Sequence, residues 1–267
     1  MSDDQHYFDH GTFRIGATEF VRGFGQRSTA DRFWIAKPEA LVDQYSALCT
    51  SLRPHAIVEL GIFRGGSTAL LAQLATPRRL IVFDIDETPV PALLEFIDRE
   101  GLRDVVRPHW GVDQADRTRL AAIVDEELAG LPLDLVIDDA SHRLEPTRVS
   151  FEVLFPRVRP GGLYVIEDWS RDHQWAAKLR AALEGADLAK EAKQDLAEAL
   201  AAAPAASAPL SCLAVELMVA RATDRGAVDS ITIDPYWITV RRGAGDLDPT
   251  GFRLSDHCVD HLGLLPS

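Results

Sequence analysis

The stretch VELGIFRGGSTALL, residues 58–71, decides the fold. An apolar run, Ala56 to Leu60, stops at a turn carrying Gly61, Gly65 and Gly66, and a helical pattern follows from Thr68 to Ala75. Glycine in such a turn lets the backbone take positive φ and approach a ligand closely. Outward from this unit, apolar runs alternate with helical patterns. Strands are expected at Arg79–Phe83, Val105–Trp110, Leu133–Ile137 and Gly162–Ile166, and helices at Pro91–Arg99, Arg117–Ala129 and Pro146–Phe155. That alternation is the signature of βαβ units and a parallel sheet. A helix from about Pro38 to Leu52 should precede it, with proline in the first turn. After it, a helix at Leu210–Ala222 leads to a hairpin of Ser230–Ile233 and Trp237–Arg241.

Two stretches break the pattern. Residues 1–37 are polar and aromatic without a sustained period, and read as an extended arm or lid with short helical pieces. Residues 38–267 form the main domain, with an Ala-rich insertion at about 174–209 read as surface helices and a connector. Composition sets outer bounds. The chain has 267 residues, 46% of them hydrophobic, and a net charge of 28 minus 41, or −13. Such acidity disfavours nucleic acid, whose binding relies on Lys and Arg. Cys49, Cys212 and Cys258 are too scattered for a disulfide framework. The start MSDDQHYFDH lacks a signal-peptide pattern, and no apolar stretch reaches the roughly 18–20 residues that cross a bilayer. A soluble, cytoplasmic protein is the expectation.

The motifs then narrow the ligand. Asp84 lies 23 residues after Gly61, at the end of a strand, where a carboxylate can accept both ribose hydroxyls; Asp86 competes for the role. Asp113, after the next strand, is placed to reach an adenine amino group. The turn G-I-F-R-G-G lacks the G-x-G-x-x-G spacing for a pyrophosphate, and no Gly-Lys-Ser/Thr follows. Glu59 would repel a pyrophosphate but suits a cationic amino acid. The ligand therefore reads as a nucleoside without phosphates.

The fourth and fifth strands end in LDLVIDDASH and GGLYVIEDWS. At the carboxyl ends of the sheet these gather Asp138, Asp139, His142, Glu167 and Asp168. Converging carboxylates call for a cation, and hard oxygen ligands suit Mg²⁺, Mn²⁺ or Ca²⁺. A bound cation acidifies a coordinated hydroxyl, and a nearby His142 is suited to take its proton. One geometric condition attaches: neighbours on a strand face opposite ways, so Glu167 and Asp168 share an ion only where the strand has turned into its loop. Trp169, Arg171, His173 and Trp175 follow directly and could stack on or bind a sugar; Arg14, Phe33 and Trp34 could cap the pocket. The pairs Asp256-His257 and Asp260-His261 have zinc-like spacing but read better as a solvated face.

Over about Glu59 to Ser170 these residues resemble class I S-adenosylmethionine methyltransferases, and within them the metal-dependent O-methyltransferases of macrolide and bacterial polysaccharide sugars. VELGIFRGGST looks like the family's cofactor loop, which implies S-adenosylmethionine contacts for Glu59, Gly61, Arg64, Gly65 and Ser67, joined by Asp84, Asp113 and Asp138. IDDASH with PGGLYVIEDW implies a metal held by Asp139, Glu167 and Asp168, with His142 as general base. The resemblance also implies a Rossmann-like, mostly parallel seven-stranded sheet with helices on both faces, a C-terminal β-hairpin and homo-oligomers. The acceptor would be a hydroxyl of a sugar, glycosylated small molecule or oligosaccharide. Two rival readings are a cephalosporin-hydroxylase-like protein of similar fold and a methyltransferase-fold protein that binds without catalysis.

Overall fold

The computed structural model describes residues 11–24, 27–184 and 208–259. Its centre is a seven-stranded sheet. In chain order the strands are β4 (Ala56–Leu60), β5 (Arg79–Phe83), β6 (Val106–His109), β7 (Leu133–Asp138), β8 (Val158–Glu167), β9 (Val228–Ile233) and β10 (Trp237–Arg242). Across the sheet the order is β6-β5-β4-β7-β8-β10-β9. The first five are mutually parallel, while β10 runs antiparallel to both β8 and β9. The chain leaves β4 in one direction through β5 and β6, and β7 and β8 build on its other side. The ends of β4 and β7 are therefore the switch point at which open α/β sheets bind ligands.

Strand period sorts the core. Ile57, Leu135, Ile137 and Val165 pack with α1 (Glu39–Leu52), α2 (Gly66–Ala75) and α3 (Pro91–Arg99). Val58, Val136, Tyr164 and Ile166 face the opposite way, against α4 (Arg117–Leu128), α5 (Leu144–Leu154) and α7 (Ser211–Thr223). Each such side chain contributes about 1.5–3 kcal/mol on burial. Every residue of β4 and β7 is buried, as a sheet covered on both faces requires. Asp134 survives inside β7 because the His55 and Ala56 N–H groups and the Arg159 guanidinium all donate to it.

The described part of the N-terminal region corrects the expectation of an arm with helical pieces. It is a three-stranded sheet of β1 (Thr12–Ile15), β2 (Thr18–Arg22) and β3 (Arg32–Ile35). Phe20, Phe33 and Ile35 are buried in the same cluster as Leu93 and Phe96. The rings of Phe20 and Phe33 are 6.3 Å apart, and Phe33 meets Phe96 edge-on at 5.5 Å. The alternation of buried Phe33 and Ile35 in β3 suits a pleated, half-buried surface better than a helix.

Beyond β8, α6 (Arg171–Glu184) carries no buried residue. The Ala-rich stretch from residue 185 to 207, and Asp260 and His261 of the zinc-like pairs, lie outside the described residues. His257 pairs instead with Asp224, Nδ1 to Oδ2 at 2.8 Å. Among the described residues, no helix is long and apolar enough to cross a membrane.

Candidate active site

At the end of β4 the backbone turns at Gly61, φ 98. A Cβ there would lie 2.3 Å from the Asp139 carbonyl oxygen, so only glycine fits. The Asp139 N–H donates to the Leu60 carbonyl at 2.9 Å. The Gly-rich turn and the loop after β7 are thus in direct backbone contact. Gly65, φ 79, then caps α2 in the left-handed region, which favours glycine.

Glu59 is fully buried beneath this turn. Its Oε2 accepts from the Thr68 hydroxyl at 2.6 Å, while Oε1 has no hydrogen-bond partner. Burial pushes its carboxyl up to about 7, with the Ser67 and Thr68 hydroxyls and Lys37 pulling the other way. A cationic group brought to the turn would find an unmatched acceptor. Asp84 fastens the turn from the side: Oδ2 accepts the Ile62 and Phe63 N–H groups at 3.0 and 2.8 Å, and Oδ1 accepts from Asp86 N–H at 2.9 Å. Asp84 and Asp86 line a cavity of about 490 Å³, together with Phe63, Arg64, Val90 and Trp110. Arg64 lies over the Phe63 ring, 5.1 Å from its centre.

The chemical end is built from two loops. Asp139, His142 and Asp168 each offer a ligand atom, and these atoms lie within 4.8 Å of one another. His142 and Asp168 both have φ 54, the left-handed region that costs a non-glycine residue about 1 kcal/mol or more. His142 Nδ1 is 4.0 Å from Asp139 Oδ1 and is buried without a hydrogen-bond partner. Desolvation and the Asp139 charge hold the Asp168 carboxyl above its usual range, against the pull of His142 and Lys37.

Glu167 goes elsewhere. It is the last residue of β8 and Asp168 has already left the strand, so the condition for sharing an ion is met, but Glu167 is held by other partners. The Lys37 ammonium donates to Glu167 Oε2 at 2.7 Å and to Asp139 Oδ2 at 3.0 Å, and the Tyr45 hydroxyl donates to Glu167 Oε1. Burial raises the Glu167 carboxyl to about 8, with Asp139 adding to the rise and Lys37 opposing it. Burial also works against the Lys37 charge, but Asp139 and Glu167 outweigh it and its pKa is raised.

The other expected residues separate into those at the site and those held away from it. Asp138 does not face the turn. The Ser150 and Tyr164 hydroxyls donate to its Oδ2 at 2.6 and 2.7 Å inside the core, because its neighbour Asp139 takes the opposite direction. Asp113 is exposed and closes its own loop, accepting from Ala115 N–H at 2.8 Å; Trp110 is the residue of that loop region that lines the cavity. Trp169 is pinned by its indole N–H to the Asp234 carbonyl at 2.9 Å. His173 meets Ser211 at 2.6 Å and Arg171 opens α6 on the surface. Trp34 is half-buried in β3, Phe33 is core, and Arg14 pairs within its own hairpin with Glu19.

Sequence reasoning missed Lys37, Tyr45 and Gln114. The first carried a signal, a lone charge in the apolar WIAKP. Tyr45 lies on the buried stripe of α1 with Leu41 and Leu48. Gln114 donates to Asp138 Oδ1 at 3.3 Å and accepts from the Ser141 N–H at 2.9 Å, tying the loop after β6 to the loop bearing His142.

Residues 58–169 match the family model described as a methyltransferase domain. The demethylmacrocin O-methyltransferase of Streptomyces fradiae is 70% identical over 37 residues, 14% of this chain and 9% of that protein. The 8-demethyl-8-alpha-L-rhamnosyl tetracenomycin-C 2'-O-methyltransferase of Streptomyces olivaceus is 32% identical over 165 residues, 59% of this chain and 39% of that protein. The chain thus matches less than half the length of these curated relatives. Among solved structures, a methyltransferase of the mycinamycin biosynthetic pathway, in complex with Mg, SAH and mycinamycin VI, aligns with a TM-score of 0.50 at 21% identity, over 76% of this chain and 48% of that one. Sheet order and structural likeness agree on a Rossmann-like α/β fold similar to that of the aligned methyltransferase, and residues 58–169 are what matches the methyltransferase domain model.

Proposed function

We propose that this chain is an S-adenosylmethionine-dependent, divalent-metal-dependent O-methyltransferase acting on a hydroxyl of a sugar, glycosylated small molecule or oligosaccharide. The observation that carries the reading is the convergence of Asp139, His142 and Asp168 at the strand ends, one backbone contact away from the Gly61 turn. The names of the relatives support the acceptor class, and the aligned structure holds Mg and SAH.

The residues fit both groups. The Asp139 and Asp168 carboxylates are hard oxygen donors that suit Mg²⁺, with Mn²⁺ or Ca²⁺ as alternatives, and the His142 imidazole beside them has no hydrogen bond on Nδ1. The buried, half-satisfied Glu59 suits a cationic amino-acid end, and Asp84 is placed for a ribose. When bound, the metal lowers the pKa of the acceptor hydroxyl and S-adenosylmethionine presents a methyl group on positively charged sulfur.

The chain supplies the rest. His142 takes the proton that leaves the hydroxyl as the oxygen–methyl bond forms and the sulfur–methyl bond breaks. Asp139 lies beside the imidazole to stabilise its protonated form. Trp169 and Arg171, at the start of the following helix, flank the acceptor side. A homo-oligomeric, cytoplasmic protein belongs to the same reading, checked by light scattering and cell fractionation.

The test is methyl transfer from labelled S-adenosylmethionine to a panel of deoxysugar glycosides, with and without EDTA. Activity that survives complete metal removal would end the metal-dependent reading. Activity on a free phenol but on no glycoside would end the sugar assignment.

A further inference from the structure

We propose that Lys37 is a positioning residue. Its buried ammonium is a built-in cation of the carboxylate cluster, and it keeps Glu167 out of the metal's ligand set, leaving Asp139 and Asp168 as the carboxylate ligands. The inference rests on the metal-dependent reading above and departs from the ligand set that the sequence resemblance implied.

Three observations carry it. Both Glu167 oxygens are engaged, Oε2 by the Lys37 ammonium at 2.7 Å and Oε1 by the Tyr45 hydroxyl, in a side chain only 2% exposed. An ammonium has three donors and no acceptor, so it cannot share an oxygen's inner position with a second cation without repulsion. Next, Lys37 is itself 5% exposed and lies where β3 runs into α1, flanked by Ala36 and Pro38. It also lies over the Tyr45 ring at 5.1 Å. The N-terminal sheet and first helix thus fix it from both sides, and it is no surface side chain that happens to lean in.

Charge is the last. Asp139, Glu167 and Asp168, when ionised, bring three negative charges, and Lys37 removes one. The remaining two match a divalent ion. Asp139 is the shared member: Oδ2 takes the ammonium at 3.0 Å, while Oδ1 lies 4.0 Å from His142 Nδ1. The ammonium therefore orients the Asp139 carboxylate as well as occupying Glu167.

The experiment measures Mn²⁺ binding to the full chain by electron paramagnetic resonance, beside thermal melting in EDTA. With Lys37 in place, Glu167→Gln should leave the Mn²⁺ Kd within about threefold of wild type, whereas Asp139→Asn should weaken it roughly tenfold or more. Lys37→Met should tighten binding by about tenfold, because a freed Glu167 adds a ligand and a charge, and Glu167→Gln on that background should reverse the gain. In EDTA, Lys37→Met should lower the Tm by roughly 6 °C or more through an uncompensated buried carboxylate, and the double variant should recover at least half of it. The proposal is overturned where Glu167→Gln weakens Mn²⁺ as much as Asp139→Asn does. It is equally overturned where the double variant shows no recovery in Mn²⁺ affinity or in melting. Should wild type bind no Mn²⁺, the metal reading itself fails, and the melting recovery alone decides whether Lys37 and Glu167 are coupled.

Discussion

The two ends of the site solve the same geometric problem with different residues. Both the turn after β4 and the loops after β7 and β8 need backbone in the left-handed region. At the cofactor end, glycine takes the main positions, Gly61 and Gly65, with Phe63 also at positive φ. At the chemical end, His142 and Asp168 themselves adopt φ 54. Glycine there would relax the chain but remove the groups proposed to do the chemistry. The difference teaches that strain is accepted where a side chain is needed and avoided where only backbone approach is needed.

The strongest way to break this comparison is at His142. Its replacement by Ala should lower kcat by about 10²- to 10⁴-fold with metal affinity reduced far less, measured by labelled methyl transfer and Mn²⁺ titration. Retention of near wild-type kcat would remove the reason for tolerating its strained backbone. Next in size is Gly61→Ala. A methyl 2.3 Å from the Asp139 carbonyl must push two strand ends apart, so stability should fall by about 2–4 kcal/mol and binding of S-adenosylhomocysteine should weaken, read by melting and calorimetry. An unchanged protein would show the contact to be soft.

A pH test follows from the burial of Glu59. Its folded carboxyl is raised from 4.5 to about 7, so the folded state holds a proton that the unfolded chain has released. The associated stability is complete below about pH 4.5 and is lost as pH rises through 7. Without cofactor, the Tm should drop by a few °C between about pH 4.5 and 7.5, and Glu59→Gln should flatten part of that slope. The smallest effect is on stability: His142→Gly, losing activity as the alanine variant does, should raise the Tm by roughly 2–4 °C by relieving left-handed backbone. A lower Tm would mean that packing of the imidazole outweighs the strain.

Much of this layout could be read from the chain. The expected bounds of Ala56–Leu60, Arg79–Phe83 and Pro91–Arg99 coincide with β4, β5 and α3, because buried apolar runs and Gly or Pro punctuation mark them locally. Asp139, His142 and Asp168 could be grouped because strand ends of a parallel sheet share one rim. The choice between Asp138 and Asp139 was also available, since strand alternation sends neighbours to opposite faces. What could not be read depends on distant partners. Lys37 meets residues 102 and 130 positions away, and no local pattern announces such a pairing. The N-terminal sheet escaped because its strands are four or five residues long, and β2 pairs in parallel with β3 across a short connection.

The contact between Gly61 and the Asp139 carbonyl has a consequence for how such a protein can change over time. Two main chains, not two side chains, set the spacing between the donor's cradle and the acceptor's metal-facing groups. On the function proposed above, substitutions in the surrounding loops can then reshape which acceptors enter without altering the reach over which a methyl group would travel. A lineage built on this fold is free to explore new acceptors while its reaction distance stays fixed.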